Sequence, residues 1–294
     1  ARAPPAGLPP SAPAESPDIT LPPGFQISVY AGDVPNARQM AAGPDGVVFV
    51  GSRSEGKVYA VVNRNGQHRI HVLASGLNQP SGIAFRDGSL YVAAVNRILR
   101  FRDVAQNLEK PPKAEVVSDA YPSDAHHGWK FIAFGPDGRL YVPVGAPCNI
   151  CEPSDKYSQI FRINLDGSGL ESVVKGMRNT VGFDWHPKTK ELWFGDNQRD
   201  WLSEDMPNDE LNRVTKSGQH FGYPYCHQAD FADPQLGWGK DCKDYVKPAL
   251  LIGPHSAPLG MRFYDGKMFP AKYQNAIFLT RHGPWNRTTK YAAD

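Results

Sequence analysis

The chain has 294 residues, of which 40% are hydrophobic and 21% charged, so a folded core is expected and disorder is excluded for most of its length. The net charge of +2, without any cluster of five or more Lys and Arg, excludes an electrostatic surface for nucleic acid or an anionic membrane. No apolar run approaches the roughly 18 residues that span a bilayer, and no signal peptide opens the chain. These properties predict a small-molecule ligand and no membrane span.

The four cysteines indicate the compartment. Cys148 and Cys151 flank one loop, and Cys226 and Cys242 enclose another. An even number of cysteines in pairs favours disulfides, in a periplasmic or secreted protein whose signal has been removed. A metal or redox role is the alternative for Cys148 and Cys151, although that motif has no following His for haem attachment and no second C-x-x-C nearby.

The first 23 residues differ in composition from the rest of the chain. They contain eight prolines with Ala, Ser and Gly between them, a composition that cannot bury enough apolar surface to order itself. We therefore expect a flexible Pro/Ala-rich leader over residues 1–23 and one folded domain over residues 24–294.

A repeated pattern runs through that domain: an apolar strand, a turn that is usually Asp-Gly, and a second apolar strand. Its five copies occupy residues 40–50, 82–92, 131–142, 181–194 and 261–269. Asp-Gly supplies the positive φ angles that a tight hairpin requires. Helical periodicity is nearly absent.

The spacing of the copies predicts an all-β propeller. The turn residues Asp45, Asp87 and Asp137 are 42 and 50 residues apart, which matches the roughly 40 to 50 residues of a four-stranded blade. A β-sandwich is the alternative, but it does not explain a repeat of this length. A six-bladed propeller of four-stranded antiparallel blades needs more chain than follows the fifth copy, so we expect its last part to be missing from this sequence.

Loops at one end of a propeller face a common channel, and several polar loops here carry candidate chemistry. His127 precedes the third copy and could act as a general base, although most histidines are structural or simply exposed. Arg178 and Asn179 precede the fourth copy, and the arginine suits a developing oxyanion or a carboxylate; a loop salt bridge is the alternative.

Two later loops are also candidates. Residues 195–212 contain the carboxylates, amides and turn carbonyls that calcium prefers, without the spacing of an EF-hand; the alternative is a solvated acidic loop. Trp285, with Arg281 and His282, could stack on a planar cofactor or a sugar, although tryptophan is more often a core residue.

Together these segments resemble the glucose/sorbosone dehydrogenase family of enzymes that use pyrroloquinoline quinone (PQQ). The resemblance covers the chain in order from about residue 21. Its motifs are His127 eight residues before Gly-Pro-Asp-Gly (135–138), Gly-Ala-Pro-Cys-Asn-Ile-Cys (145–151), Arg178-Asn179, Asp-Glu-Leu-Asn (209–212), Gly-Tyr-Pro (222–224) and His-Gly-Pro-Trp-Asn-Arg (282–287).

The resemblance implies a six-bladed fold with PQQ and calcium across the channel. It makes His127, not His126, the base that takes the proton from a sugar's anomeric hydroxyl while hydride passes to the quinone, and Arg178 the group that stabilises the oxygen that becomes negative there. It places further residues around PQQ: Asn179, Asn197, Asp209 and Arg281.

The same resemblance implies two calcium sites. The backbone carbonyls of Gln198 and Arg199 match the oxygens that bind the calcium beside PQQ. Glu210 and the Phe221 carbonyl resemble a second, structural calcium site of some members. The expected substrate is an aldose or a sugar aldehyde, and the choice of electron acceptor is open between a cytochrome and a quinone.

Two other classes of protein remain open from the residues alone. A calcium-dependent propeller hydrolase such as a lactonase also uses channel carboxylates and amides, but it does not need Arg178 beside a quinone. A propeller that only binds ligands or partners needs none of these residues. The order of the motifs favours the dehydrogenase.

Overall fold

In the computed structural model, which describes residues 19–291, all regular structure is β-strand apart from four single turns of 3₁₀ helix. These turns are Pro44–Gly46, Val104–Gln106, Cys242–Asp244 and Ala271–Tyr273. Within the described residues, no helix is long and apolar enough to cross a membrane. The all-β prediction is confirmed. Residues 1–18 of the predicted leader lie outside the described residues.

The first four sequence repeats each form an antiparallel hairpin. In the fifth, the predicted strand after the Asp-Gly turn does not form, and the first strand pairs instead with Ile277–Arg281, beyond the repeat. In the second copy, Asp87 and Gly88 both have positive φ angles, of 48° and 77°, and join two paired strands. Positive φ at both central residues is what a two-residue hairpin turn requires, because its twist then matches that of the strands. The Asp-Gly pattern therefore specifies this turn for the reason expected from the sequence.

The hairpins are extended into four four-stranded antiparallel arrays, and the strands follow the chain order. The first array contains β1 (Ala37–Ala42), β2 (Val47–Ser52), β3 (Val58–Arg64) and β4 (Gln67–Ala74). The second contains β5 (Gly82–Arg86), β6 (Ser89–Ala93), β7 (Ile98–Phe101) and β8 (Glu115–Ser118). The third contains β9 (Ala133–Phe134), β10 (Leu140–Val144), β11 (Gln159–Ile163) and β12 (Glu171–Lys175).

The later strands are less regular. The fourth array begins with β13 (Phe183–Trp185), β14 (Leu192–Asp196) and β15 (Asn208–Arg213). Three short strands follow: β16 (Gln219–His220), which pairs in parallel with β12, and the hairpin of β17 (Cys226–His227) and β18 (Phe231–Ala232). Then β19 (Leu250–Pro254) completes the fourth array, and β20 (Pro258–Phe263) pairs with β21 (Ile277–Arg281).

The hydrophobic core lies between successive sheets, which pack face to face. Phe49 and Ile83 belong to the cluster between the first and second sheets, and Tyr91 and Ile132 to the cluster between the second and third. Phe183 belongs to the cluster between the third and fourth. Each inner sheet is thus covered on both faces, which explains its nearly continuous apolar strands. The four sheets are blades of a propeller-like fold, and the number six stays a prediction.

The first strands of the five repeats surround one central cavity of about 800 Å³. Its lining includes residues of β1, β5, β9, β13 and β20. In each repeat, the first strand begins and the second strand ends at the same end of the propeller. The loops at that end therefore approach one another although they are far apart in the sequence.

Candidate functional site

Loops from the third blade onward enclose a polar cavity of about 150 Å³ at this end of the propeller. Six of the residues predicted from the sequence line it: His127, Arg178, Asn179, Asn197, Gln198 and Asp209. The cavity is also lined by Trp285, the candidate for stacking on a cofactor or a sugar, and by four residues that were not predicted as site residues: Asp200, His255, Ala257 and Asn286. The third and fourth blades supply all six of the predicted residues.

His127 is held as a neutral imidazole whose Nε2 has no hydrogen-bond partner among the described residues. Its Nδ1 lies 2.8 Å from the carbonyl oxygen of Ala146. Because a carbonyl can only accept, Nδ1 carries the hydrogen and Nε2 keeps its lone pair. Burial, followed by the positive charge of Arg178, lowers the pKa of His127 to about 2. The ring is thus unprotonated near neutral pH, as a general base must be.

The backbone around His127 is tightly constrained. Its φ of 50° lies in the left-handed region, which non-glycine residues adopt only where the surroundings hold them. Gly145, which follows β10, packs against it: a Cβ on this glycine would lie 2.7 Å from the Cβ of His127 and 3.1 Å from Oδ1 of Asn179. Only glycine leaves room for both side chains. His126 is exposed and does not line the cavity.

Arg178 is 3% exposed, and its guanidinium is nearly saturated by protein acceptors. Nε donates to the carbonyl oxygen of Asn149 at 2.9 Å, and Nη2 donates to Oδ1 of Asn149 at 2.9 Å and to Oδ2 of Asp200 at 3.0 Å. Nη1 donates to the carbonyl oxygen of Asn197 at 3.2 Å. A guanidinium has five N–H donors, so one on Nη1 has no acceptor among the described residues. The alternative of a loop salt bridge accounts for only part of this arrangement.

A buried carboxylate holds the Arg178 loop in place. Asp196, the last residue of β14, accepts hydrogen bonds from the backbone N–H groups of Arg178 at 2.9 Å and Asn179 at 2.8 Å. It also accepts one from Nε2 of Gln198 at 3.1 Å. Complete burial raises the pKa of Asp196 to about 7, against the opposing effect of the two backbone donors. Asp196 thus positions two cavity residues without lining the cavity itself.

Asn179 and Asn197 join the fourth blade to the hairpin of β20 and β21. Nδ2 of Asn197 donates to the carbonyl oxygen of Asn179 at 3.1 Å and to that of Pro258 at 2.8 Å. The side-chain amide of Asn179 makes no hydrogen bond to another described residue. It is therefore available to a ligand.

Asp209 and Glu210 are adjacent in β15 but have different surroundings. Asp209 accepts from the backbone N–H groups of Gln198 and Ala257, both at 2.7 Å, and burial raises its pKa to about 6. Glu210 accepts from the N–H of Gln228 at 2.9 Å and from Nδ2 of Asn212 at 3.0 Å. Burial, with a smaller effect of Asp196, raises the pKa of Glu210 to about 8.

Oxygen ligands for a cation are present at Gln198 and Arg199. These residues are only 5% and 4% exposed, and within the described part of the chain neither backbone carbonyl accepts a hydrogen bond. Buried carbonyls without partners are the hard oxygen ligands that calcium takes. The Arg199 side chain points elsewhere, to Asp233 at 2.6 Å. No group of three or more His, Cys, Asp or Glu among residues 19–291 could hold a metal by itself.

Four predicted residues do not line the cavity: Arg199, Glu210, Phe221 and Arg281. Phe221 is 2% exposed and packs in the core with its ring 4.9 Å from that of Phe194. Arg281 ends β21, and its Nη1 donates to the carbonyl oxygen of Ile252 at 3.4 Å. The structure therefore does not bring Arg281 together with His127 and Arg178.

Both predicted disulfides are present, Cys148–Cys151 and Cys226–Cys242, and they exclude the metal alternative for the first pair. The prediction missed the role of Asn149, which lies between the first two cysteines and contacts Arg178. It also missed Asp200, the ion-pair partner of Arg178. The sequence contained a signal for both residues. Asn149 lies in the motif at 145–151 and Asp200 in the polar loop 195–212, and both segments were noted for other residues.

Comparison with known proteins identifies relatives along the whole domain. A family model described as TrAA12-like matches residues 19–292. An uncharacterized protein of Borreliella burgdorferi is 31% identical over 288 residues, which cover 92% of this chain and 74% of that protein.

Solved structures show the same fold at lower identity. The holo PQQ domain of pyranose dehydrogenase from Coprinopsis cinerea has a TM-score of 0.76 at 17% identity, over 93% of this chain and 77% of that one. The calcium structure of the Trichoderma reesei family AA12 enzyme has 0.73 at 20%, over 87% and 76%. The PQQ-bound aldose sugar dehydrogenase of Streptomyces coelicolor has 0.62 at 21%, over 90% and 82%.

Proposed function

The chain belongs to the TrAA12-like family, and from this premise we propose that it is a PQQ-dependent oxidoreductase that oxidises an aldose or a sugar aldehyde at C1. One observation carries the proposal. His127, with a free Nε2, and Arg178, with an N–H left for a ligand, line the same cavity although 51 positions separate them in the sequence. The family resemblance inferred from the sequence motifs is confirmed.

The two side chains have complementary roles. Nε2 of His127 accepts the proton of the sugar hydroxyl at the carbon that is oxidised. The remaining N–H of Arg178 faces the oxygen that gains negative charge as this proton leaves, in a buried setting where a fixed cation acts strongly. Because four protein acceptors hold the guanidinium, it does not have to reorganise during the reaction.

Bound PQQ would supply the hydride acceptor for the reaction, and bound calcium would supply a Lewis acid beside it. The residues present fit both groups. Arg178 and the free amide of Asn179 suit an anionic, carbonyl-rich cofactor, with Asn197 and Asp209 as further cofactor residues, while Arg281 lies outside the cavity. The unpartnered carbonyls of Gln198 and Arg199 suit calcium.

The second calcium site, at Glu210 and the Phe221 carbonyl, lies outside the cavity. Each carboxylate oxygen of Glu210 accepts one protein hydrogen bond, from Asn212 or from the N–H of Gln228. That site stays a prediction. The electron acceptor, a cytochrome or a quinone, also stays open, and the two disulfides support the periplasm or the cell exterior as the location.

The test combines the apoprotein with PQQ and calcium and measures the reduction of an artificial dye across a panel of aldoses and aldehydes. We expect turnover with at least one sugar. His127→Ala should lower the turnover rate by a factor of about 10² or more. The affinity for PQQ, measured by spectroscopic titration, should change little. The matched control is His126→Ala, since this neighbour is outside the cavity and should retain most activity.

Two results contradict the proposal. The first is the absence of both PQQ binding and dye reduction with every substrate in the panel. The second is full activity in His127→Ala, which removes the assigned base. A lactone-hydrolysis assay on the same preparation distinguishes a calcium-dependent hydrolase from an oxidoreductase.

A further inference from the structure

The loop that follows β10 combines a disulfide with the main contacts of Arg178. Cys148 and Cys151 close a ring with only two residues between them, Asn149 and Ile150. In the described structure, no backbone-to-backbone hydrogen bond is made by residues 147–153. The disulfide is therefore the main covalent constraint on the position of Asn149.

Asn149 contacts Arg178 through both its backbone and its side chain. Its carbonyl oxygen accepts from Nε, and its Oδ1 accepts from Nη2, each at 2.9 Å. These are two of the four hydrogen bonds that hold the guanidinium. The same Oδ1 accepts from the N–H of Asp200 at 2.8 Å, and Nδ2 donates to the Asp200 carbonyl at 2.9 Å. Asn149 thus positions both members of the Arg178–Asp200 ion pair.

Tyr223 connects the disulfide to the same contact. Its hydroxyl donates to the carbonyl oxygen of Asn149 at 3.3 Å and lies 3.5 Å from Sγ of Cys148. Tyr223 is itself 1% exposed, so its position is defined by packing. A movement of Cys148 away from the tyrosine would therefore displace the carbonyl that Arg178 uses.

We propose that Asn149 is a positioning residue for Arg178, and that the Cys148–Cys151 disulfide holds it there, so that reduction of this bond releases the guanidinium. A dithiol supplies the two electrons: the S–S bond breaks, two cysteine thiols form, and the dithiol is oxidised to its own disulfide. Cys148 and Cys151 are both half-buried, whereas in the other disulfide only Cys242 is half-buried and Cys226 is 1% exposed. The effect on turnover rests on the proposed function, but the effect on Arg178 does not.

The first readout is independent of cofactor and activity. In protein labelled with ¹⁵N-arginine, the Nε–H signal of Arg178 is identified by its loss in Arg178→Lys. Because this N–H is buried and hydrogen-bonded, we expect slow exchange with solvent in the oxidised protein. The measurement uses the Cys226→Ser/Cys242→Ser background, in which only Cys148–Cys151 can be reduced. Reduction should accelerate the exchange about 10-fold or more, and reoxidation should restore it.

Two variants separate the parts of the argument. Cys148→Ser/Cys151→Ser should reproduce the effect of reduction without any reductant. Asn149→Ala keeps the backbone acceptor of Nε but removes Oδ1, so the exchange should increase by a smaller factor. The matched control is Cys226→Ser/Cys242→Ser itself, which should leave the Arg178 signal as in the unmodified protein.

The second readout is kinetic. If Arg178 acts on developing charge, reduction should lower kcat by about 10-fold with little change in KM. Reoxidation should restore kcat, whereas activity lost through general unfolding would not return. Unchanged Nε–H exchange after reduction, or in Asn149→Ala, overturns the inference. If the exchange responds but no form of the protein oxidises sugars, the positioning role stands and the proposed function is wrong.

Discussion

Lys130 is a buried cation close to the candidate base in the sequence. It is 2% exposed, and Nζ donates one hydrogen bond, to the carbonyl oxygen of Gly128 at 2.7 Å. An ammonium has three donors, so most of its lost hydration is not replaced. Burial lowers the pKa of Lys130 to about 7. The side chain therefore destabilises the folded state whenever it is charged.

This predicts the effect of Lys130→Met on unfolding. Between the folded pKa of about 7 and an unfolded pKa of about 10.4, the unfolded chain binds more protons, so stability rises with pH in this window. Methionine removes the charge and keeps the packing. At pH 7 we therefore expect the free energy of unfolding to increase by about 1–3 kcal/mol, with a higher Tm. The difference should shrink toward pH 10.

Thermal unfolding of both proteins from pH 6 to pH 10 checks this prediction. Lys216→Met is the matched control, because Lys216 is exposed and should give a curve parallel to that of the unchanged protein. Parallel curves for Lys130→Met as well would show that Lys130 is charged and well solvated in the folded state.

At the scale of residues, the sequence predicted which side chains line the cavity more accurately than it predicted the contacts between them. The offset of His127 from the Gly-Pro-Asp-Gly turn selects it over His126, and the structure places only His127 in the cavity. No sequence pattern assigns Asn149 to Arg178, because that contact depends on how two loops 29 positions apart approach each other. The unprotonated state of His127 likewise follows from burial and from Arg178, which only the folded structure brings near.

At the scale of elements, Asp196 links the end of β14 to the loop that precedes β13. Its Oδ2 accepts from the N–H of Arg178, and its Oδ1 from the N–H of Asn179. In Asp196→Asn, one oxygen is replaced by a donor, so one of these buried N–H groups loses its acceptor. Such a loss costs about 1–3 kcal/mol. We expect a lower Tm together with weaker binding of PQQ, measured by thermal unfolding and spectroscopic titration.

Asp184→Asn is the matched control for this prediction. The Asp184 carboxylate also accepts from a distant backbone N–H, that of Phe263 at 2.9 Å, but it lines the central cavity and not the site. The control should lower the Tm and leave PQQ affinity close to that of the unchanged protein. Equal losses of affinity in both variants would mean that Asp196 acts only through general stability.

The accuracy of the predicted strands depended on local pattern. The first four repeats form hairpins as predicted, because each has an apolar run on both sides of a tight turn. The pairing of β16 with β12 and the hairpin of β17 and β18 were not predicted. These strands have two residues each, too short for any periodicity, and distant partners define them.

At the scale of the whole molecule, the repeat spacing predicted the blades because each blade needs a fixed length of chain to form four strands. It could not predict how neighbouring blades are joined around the central cavity. That information lies in single polar side chains on the innermost strands. Their hydrogen bonds cross from one blade to the next and leave no periodic trace in the sequence.

Gln39 is the clearest of these connections. From β1 in the first blade, its Oε1 accepts from the N–H of Ile83 at 3.0 Å, in the second blade. The same oxygen accepts from the N–H of Ile132 at 2.9 Å, and Nε2 donates to the carbonyl of Ile132 at 2.6 Å, beside the third blade. One half-buried side chain therefore satisfies three backbone groups and joins three blades.

Gln39→Leu should therefore weaken the assembly of the blades as a unit. It removes all three hydrogen bonds, so we expect a loss of about 1–3 kcal/mol in the free energy of unfolding, measured by urea denaturation with an unchanged m-value. In Gln39→Glu a carboxylate oxygen still accepts from both N–H groups, but the other oxygen faces the Ile132 carbonyl instead of donating to it, so this variant should lose stability as well. Met40→Ala is the control, since Met40 is the next residue and is 65% exposed. If Gln39→Leu is no less stable than Met40→Ala, water in the central cavity replaces the glutamine, and the blades are held together by their apolar faces alone.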